Sequence, residues 1–343
     1  MTPLSRRTVL VTGATGFVGT ALVEELLREG ARVHAVARES SNRAHLDRFS
    51  IHWHTADLED VPALHRAFAK AAEEAKSAGR RFDCVHAGAL ISYRREDAER
   101  SRRVNVGGTH NILEASIASG VQRICHVSSV VAVGFARSAE EVLDEETPFN
   151  GAGLRSAYVT TKRAAEDLVL AVQVPPETVV CCPGAIFGPS PGGSNTTRFL
   201  ERLRRGGLGP FAPPGSLSVV GVDDVAKGLC LALQHGRPGR RYLLTESNWS
   251  HTELLARAAV ELGVRSPRVR FPPPLWRGVV GAAGLLDPVI RSAEATPEAL
   301  RLLGTHFRFD GTRARSELGW LPRPFVEVLR ETVLWMGSRK DRN

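Results

Sequence analysis

The chain has 343 residues, of which 43% are hydrophobic and 24% charged; that length supports a large core plus a second lobe, and the composition excludes disordered, fibrous and repeat proteins. The formal charge of +8 comes from arginines scattered along the whole chain, with only five lysines among 45 basic residues, and without a basic arm or block it argues against nucleic acid as a partner. The cysteines (Cys84, Cys125, Cys181, Cys182 and Cys230) are odd in number and lack C-x-x-C spacing, so they read as reduced, buried thiols of a cytoplasmic protein.

Residues 8–11 are a β-branched run, followed by a glycine-rich turn and an apolar periodic stretch over 20–28 that ends at Gly30. This order predicts strand, turn, helix. The uncharged run 8–23 follows Arg6 and Arg7 like the core of a signal peptide, but its glycines and threonines argue against one. Strands are expected over 31–37, 52–56, 82–89, 124–128 and 179–182, and helices over 61–76 and 103–119. Such alternation implies parallel strands joined by right-handed crossovers, an α/β, doubly wound parallel sheet of the Rossmann type. Beyond residue 182 the chain turns rich in Pro and Gly (183–193, 206–215), which marks a smaller C-terminal substrate lobe. The predicted division is 1–189 and 221–236 for the NADP-binding domain, with 190–220 and 237–343 as the interleaved lobe. The uncharged stretch 278–286 is far shorter than the roughly 20 residues a bilayer requires, so no membrane span is expected.

The glycine-rich turn reads Thr12-Gly13-Ala14-Thr15-Gly16-Phe17-Val18-Gly19. Gly13 permits the tight turn, Gly16 lets the backbone approach a pyrophosphate, Gly19 allows close helix packing, and the helix N-terminus offers N–H donors. An acidic residue at the end of the second strand would hold the ribose of NAD; Ala37 and then Arg38 stand there, and a guanidinium suits a 2′-phosphate, so NADP is favoured over NAD. Tyr158 and Lys162 are four residues apart at a helix start and share a face. A lysine about 4 Å from a phenol favours phenolate by up to ~4 kcal/mol at an effective dielectric of 20, which predicts a lowered tyrosine pKa. Ser128 and Ser129 end the fifth strand, where ligands of open α/β sheets collect. His52 and His54 share a strand face, but no Cys or carboxylate completes a metal set; they read as structural, and no metal is expected.

Together these residues resemble the extended short-chain dehydrogenase/reductase family, within the NAD-dependent epimerase/dehydratase superfamily. The resemblance runs over nearly the whole chain. It implies cofactor contacts from Gly13, Thr15, Gly16, Phe17, Val18 and Gly19 in the turn, and from the acidic pair Asp57-Leu58 at the adenine. Ala87, Gly88 and Ala89 would line the cofactor, with Gly88 where alanine is usual, and Pro183 and Ile186 would sit at the nicotinamide end. Ser129, as the last of its run, Tyr158 and Lys162 match the catalytic set, and Asn105 is the helix asparagine that supports the site through a water. Residues 222–226 and 318–322 match further signatures.

Arg38 and the segment 272–291 are most similar to the dihydroflavonol-4-reductase-like and 3β-hydroxysteroid-dehydrogenase-like branch. Two departures stand out: Cys182 where an arginine commonly precedes the proline, and Gly134 where plant flavonoid enzymes carry a substrate-binding asparagine. The implied activity is NADP-dependent reduction of a ketone or aldehyde, or oxidation of a secondary alcohol. A nucleotide-sugar epimerase or dehydratase with tightly bound NAD, and a non-catalytic NADP-binding sensor or scaffold, stay open as alternatives. Residues 90–95 and 192–211 are the expected pocket lining, and the family also implies a homodimer through sheet-flanking helices.

Overall fold

The computed structural model describes residues 2–173, 175–206, 210–267, 269–290 and 296–340. The segment Arg7–Thr12 (β1) is apolar and β-branched and is buried at every position, as a central parallel strand covered on both faces must be. It leads through the glycine turn into Phe17–Arg28 (α1), and the chain reverses at Gly30, which has φ +78°. Arg32–Ala37 (β2) and His52–Thr55 (β3) follow. In Val61–Ser77 (α2) the Asp60 carboxylate accepts the Ala63 N–H, Pro62 sits in the first turn, and Leu64, Ala67, Phe68, Ala71 and Ala75 form the buried stripe.

Arg81–His86 (β4), Ala98–Ser101 (α3), Gly108–Ala118 (α4), Arg123–Val127 (β5), Ala157–Leu170 (α5) and Glu177–Pro183 (β6) complete the first half. Between α3 and α4, residues Arg102–Gly107 form a π-helical turn where the sequence predicts regular helix. The remainder comprises Ala185–Phe187 (β7), Asn195–Arg204 (α6), Phe211–Ala212 (β8), Ser216–Gly221 (β9), Val222–His235 (α7), Arg240–Leu244 (β10), Ser247–Ser250 (β11) and His251–Leu262 (α8). Val269–Arg270 (β12), Pro273–Ile290 (α9), Pro297–Leu303 (α10), His306–Phe307 (β13), Thr312–Leu318 (α11) and Phe325–Lys340 (α12) end the described chain.

The main sheet has seven parallel strands in the order β10-β6-β5-β4-β1-β2-β3, so the chain reverses direction beside β1 and opens a crevice at the strand C-termini. Val9, Val11, Val33 and Ala35 pack on Leu22, Leu26 and Leu229 of α1 and α7, while Leu10, Val36, Cys84 and Ile124 pack on α2 and α4 through Leu64, Phe68 and Ile112. A second sheet is built around β9, with β7 and β13 parallel to it and β11 antiparallel. Its own core joins Phe187, Leu200, Leu254, Phe325 and Leu329.

One assignment differs. Arg240–Leu244 belongs to the main sheet, paired to β6, whereas the sequence division put 237–343 with the second lobe. Its two leading arginines conceal the strand; only Tyr242, Leu243 and Leu244 are buried. Of the expected pocket lining 192–211, residues 207–209 lie outside the described residues, as does Arg291 of the 272–291 segment.

Candidate active site

The crevice begins at the glycine turn. Gly13 has φ +70°, and a Cβ there would lie 2.7 Å from Gly88 N and 2.8 Å from Ala87 C. At Gly19 a Cβ would stand 2.0 Å from Gly13 O. Gly16 caps α1 without any side-chain hydrogen bond, so no side chain takes the first-turn N–H groups, the arrangement an anion needs. Thr15, Phe17 and Val18 complete the turn. These features fit a dinucleotide pyrophosphate.

Beside the turn, Arg38 follows the last residue of β2 and is exposed, in an open pocket with Ser40, Thr55, Ala56, Asp57 and Asp60. Arg43 is a residue the sequence reading did not single out. Its guanidinium reaches Thr55 Oγ1 at 3.4 Å and lies 4.8 Å over the Trp53 ring, so a second cation stands at the end of β2. Leu58 packs against Gly88 and Gly108: added Cβ atoms there would meet its side chain at 3.1 and 2.9 Å. That contact explains glycine at position 88, where a methyl group would press on Leu58 and on Thr12 Oγ1.

A buried hydrogen-bond chain fixes this wall. Thr109 donates to Asn105 O at 2.6 Å, so its oxygen accepts from His86 Nε2 at 3.0 Å. His86 Nδ1 then accepts from Thr12 Oγ1 at 2.7 Å, and Thr12 accepts the Gly88 N–H at 3.2 Å. Burial, with Lys162 nearby, pushes His86 down to about 3 and keeps it neutral. Asn105, in the π-helical turn, accepts the Leu90 N–H at 2.7 Å and donates to Leu90 O and Thr161 Oγ1. It thereby ties the loop carrying Ala87, Gly88 and Ala89 to α5. The extra backbone turn is what aims this side chain, in keeping with the occurrence of π-bulges at functional sites.

Ser129, Tyr158 and Lys162 meet at the C-terminal end of β5. The Ser129 hydroxyl lies near the Tyr158 phenol, and Lys162, one turn further along α5, donates to Val127 O at 2.7 Å. The expected lowering of the tyrosine by the lysine is not found. Burial raises the Tyr158 pKa, the nearby Ser129 hydroxyl opposing it only in part; Lys162 donates to a backbone carbonyl, and burial brings the lysine itself down to about 8. Beneath it, Glu166 is fully buried and receives hydrogen bonds from Ser128 Oγ at 2.5 Å and Cys182 Sγ at 3.4 Å. The guanidinium that pairs with Glu166 is Arg241 on β10, so Cys182 leaves that carboxylate partnered.

Two residues from afar complete the site. Tyr93 lies edge-on to Tyr158, with ring centroids 5.7 Å apart, within the expected lining segment 90–95. Glu298 of α10 accepts the Ser156 hydroxyl at the start of the helix that carries the tyrosine, with the Ala157 and Tyr158 N–H groups nearby. Nothing near Glu298 in sequence signals this.

Gly134 has φ +143°, and a Cβ there would fall 2.3 Å from Asn150 Oδ1. An asparagine carboxamide thus occupies the space a side chain at 134 would fill, but Phe135 N–H and C=O hold both its ends at 2.9 Å. Pro183 ends β6 and Ile186 lies in β7, both at the mouth of the crevice where the two sheets meet. The five cysteines are buried and unpaired. Among the described residues, no helix is long and apolar enough to cross a membrane.

The sequence pattern of the NAD dependent epimerase/dehydratase family matches residues 9–245. The chain is 31% identical over 338 residues to the putative dihydroflavonol 4-reductase of Synechocystis sp., covering 95% of this chain and 93% of that protein. It is also 31% identical over 343 residues to sterol demethylase protein B of Methylococcus capsulatus, covering 97% and 99%. Its fold is similar to the crystal structure of gox2253, with a TM-score of 0.82, 28% identity and coverage of 97% and 98%.

Proposed function

Because the chain belongs to the NAD-dependent epimerase/dehydratase family of extended short-chain dehydrogenases/reductases, which makes it an NAD(P)-dependent oxidoreductase, we propose that it reduces a ketone or aldehyde with NADPH, using Tyr158 as general acid. The observation that carries this reading is the convergence of Ser129, Tyr158 and Lys162 at the strand ends, with Lys162 held by Val127 O, beside an α1 N-terminus whose cap residue is a glycine.

The turn Gly13 to Gly19, with Thr15, Phe17 and Val18, would hold the pyrophosphate, Asp57 and Leu58 the adenine, and Arg38 with Arg43 the 2′-phosphate. Ala87, Gly88, Ala89, Pro183 and Ile186 would flank the nicotinamide half, with Tyr158 and Lys162 at its ribose. When bound, the cofactor supplies the hydride. The protein supplies the proton. The raised pKa of Tyr158 keeps the phenol protonated at neutral pH, the form that donates to a carbonyl oxygen, and Ser129 holds that oxygen in line. Lys162, at about 8, titrates close enough to neutrality to return a proton toward the tyrosine. Asn105 fixes the loop and helix between which that path runs. The buried, unpaired cysteines support a reducing compartment, the cytoplasm.

Titration of the purified protein with NADPH and NADH tests the cofactor assignment. NADPH is expected to bind more tightly, with a loss of about 10- to 100-fold in Arg38→Ala, the worth of a charge-assisted hydrogen bond. Preference for NADH, or NAD that co-purifies and does not exchange, would overturn it in favour of an epimerase.

A further inference from the structure

Away from the crevice, in the first half of β2, the sheet brings together side chains that the hydride-transfer reading does not use. His34 and His52 are direct partners in the parallel register of β2 and β3, and His54 lies two residues further along the same face. The last turn of α2 places Glu74 over them. Glu74 Oε2 lies 3.2 Å from His34 Nε2 and 3.3 Å from His52 Nδ1, and the three donor atoms are all within 4.8 Å of one another. The sequence reading found no carboxylate for these histidines; Glu74 is some 20 residues downstream on α2, and only the fold brings it to them.

Four features distinguish the cluster from a surface ion pair. His34 is 2% exposed, yet its Nε2 has no hydrogen-bond partner among the described residues and faces Glu74 and His52. Its other nitrogen, Nδ1, lies 2.9 Å from His54 Nε2; with the proton on Nδ1, His54 accepts and the Nε2 lone pair stays available. Arg32 pairs with Glu74 Oε1, leaving Oε2 for the histidines. Two of the spacings also fit: ligands about 2.0–2.1 Å from a tetrahedral zinc stand roughly 3.3 Å apart, as Glu74 Oε2 does from each histidine nitrogen.

We propose that His34 Nε2, His52 Nδ1 and Glu74 Oε2 form a binding site for a divalent transition metal, zinc being the best fit, with water in the fourth position. His54 and Arg32 support it by orienting His34 and Glu74, as the outer partners of metal ligands do. Solvent reaches the site past His52, which is 40% exposed. The cluster lies about 13 Å along β2 from Arg38, at 3.3 Å per residue, so the metal would tie edge strand β3 to α2 rather than touch the reacting atoms.

The test uses the full chain after chelation and gel filtration. Calorimetric titration with zinc sulfate is expected to show one equivalent bound and a raised Tm, and cobalt(II) to give the visible bands of a tetrahedral site. His52→Gln and Glu74→Gln should each lose zinc affinity by more than the about 10- to 100-fold that removing a supporting residue costs, and His54→Gln should lose about that amount, all three with NADPH binding unchanged. Failure of the chelated wild type to bind zinc, or zinc affinity unchanged in both ligand variants, would overturn the site. Should a variant lose NADPH binding as well, the wild-type stoichiometry and cobalt spectrum decide alone.

Discussion

Lys162 is buried at 4% exposure with one carbonyl partner, and its pKa of about 8 lies below the ~10.4 of an unfolded lysine. Between these values the unfolded chain holds the proton and the folded chain has released it, so stability at this residue rises with pH through that window. Urea unfolding of the cofactor-free protein should show wild type gaining on Lys162→Met as the pH is raised from about 8 to about 10; an offset that does not change with pH would contradict this. Of the three residues proposed to react, Tyr158 and Lys162 stood out because a tyrosine with a lysine four residues on is rare in a chain with 3 tyrosines. The sign of their coupling was not. It depends on where the ammonium points, and a carbonyl of β5 takes it. Arg43 was equally hidden, one arginine among many until the fold laid it against Trp53 and Thr55.

Among the elements, α5 depends on residues distant in sequence. Its N-terminus is capped by Ser156, which accepts the Val159 N–H at 3.2 Å and donates to Glu298 of α10, while Arg301 of α10 donates to Leu154 O. Glu298→Ala should destabilise the protein by about 1 kcal/mol, the usual worth of a cap with its charge at a helix N-terminus. It should also lower turnover while leaving NADPH affinity unchanged, since the turn at α1 is untouched; thermal melts and cofactor titration check both. Gly13→Ala should act the other way round. A methyl group at φ +70° against the backbone of Ala87 and Gly88 displaces the turn itself, and loss of NADPH binding in fluorescence titration is the expected result. Strands β1 to β6 and helices α1 and α2 were readable from periodicity because each is apolar on its buried faces. The π-helical turn was not, since its side-chain pattern is that of ordinary helix, and β10 was masked by the arginines that open it.

Across the molecule, the end of the sheet opposite the crevice is held by charge. Arg7 and Asp83, 2% and 0% exposed, pair at 2.6 Å, and Arg7 and Arg123 both donate to Leu233 O near the C-terminus of α7. Asp83→Ala leaves a buried guanidinium without its carboxylate and should cost about 3–5 kcal/mol in urea unfolding, far more than loss of any exposed pair. This bridge joins residues 76 positions apart, which is why no local pattern revealed it. The same holds for the lobe: its sheet gathers β7, β9, β11 and β13 from across the second half of the chain, and its pocket side chains cannot be placed from sequence. The proposed chemistry rests on Tyr158 acting on whatever carbonyl that lobe admits. The most direct measurement is NADPH oxidation by wild type and Tyr158→Phe over a panel of ketones and aldehydes, with NADPH affinity measured in parallel. A general acid predicts a turnover loss of about 10²- to 10⁴-fold at unchanged NADPH affinity; turnover equal to wild type in Tyr158→Phe would contradict it.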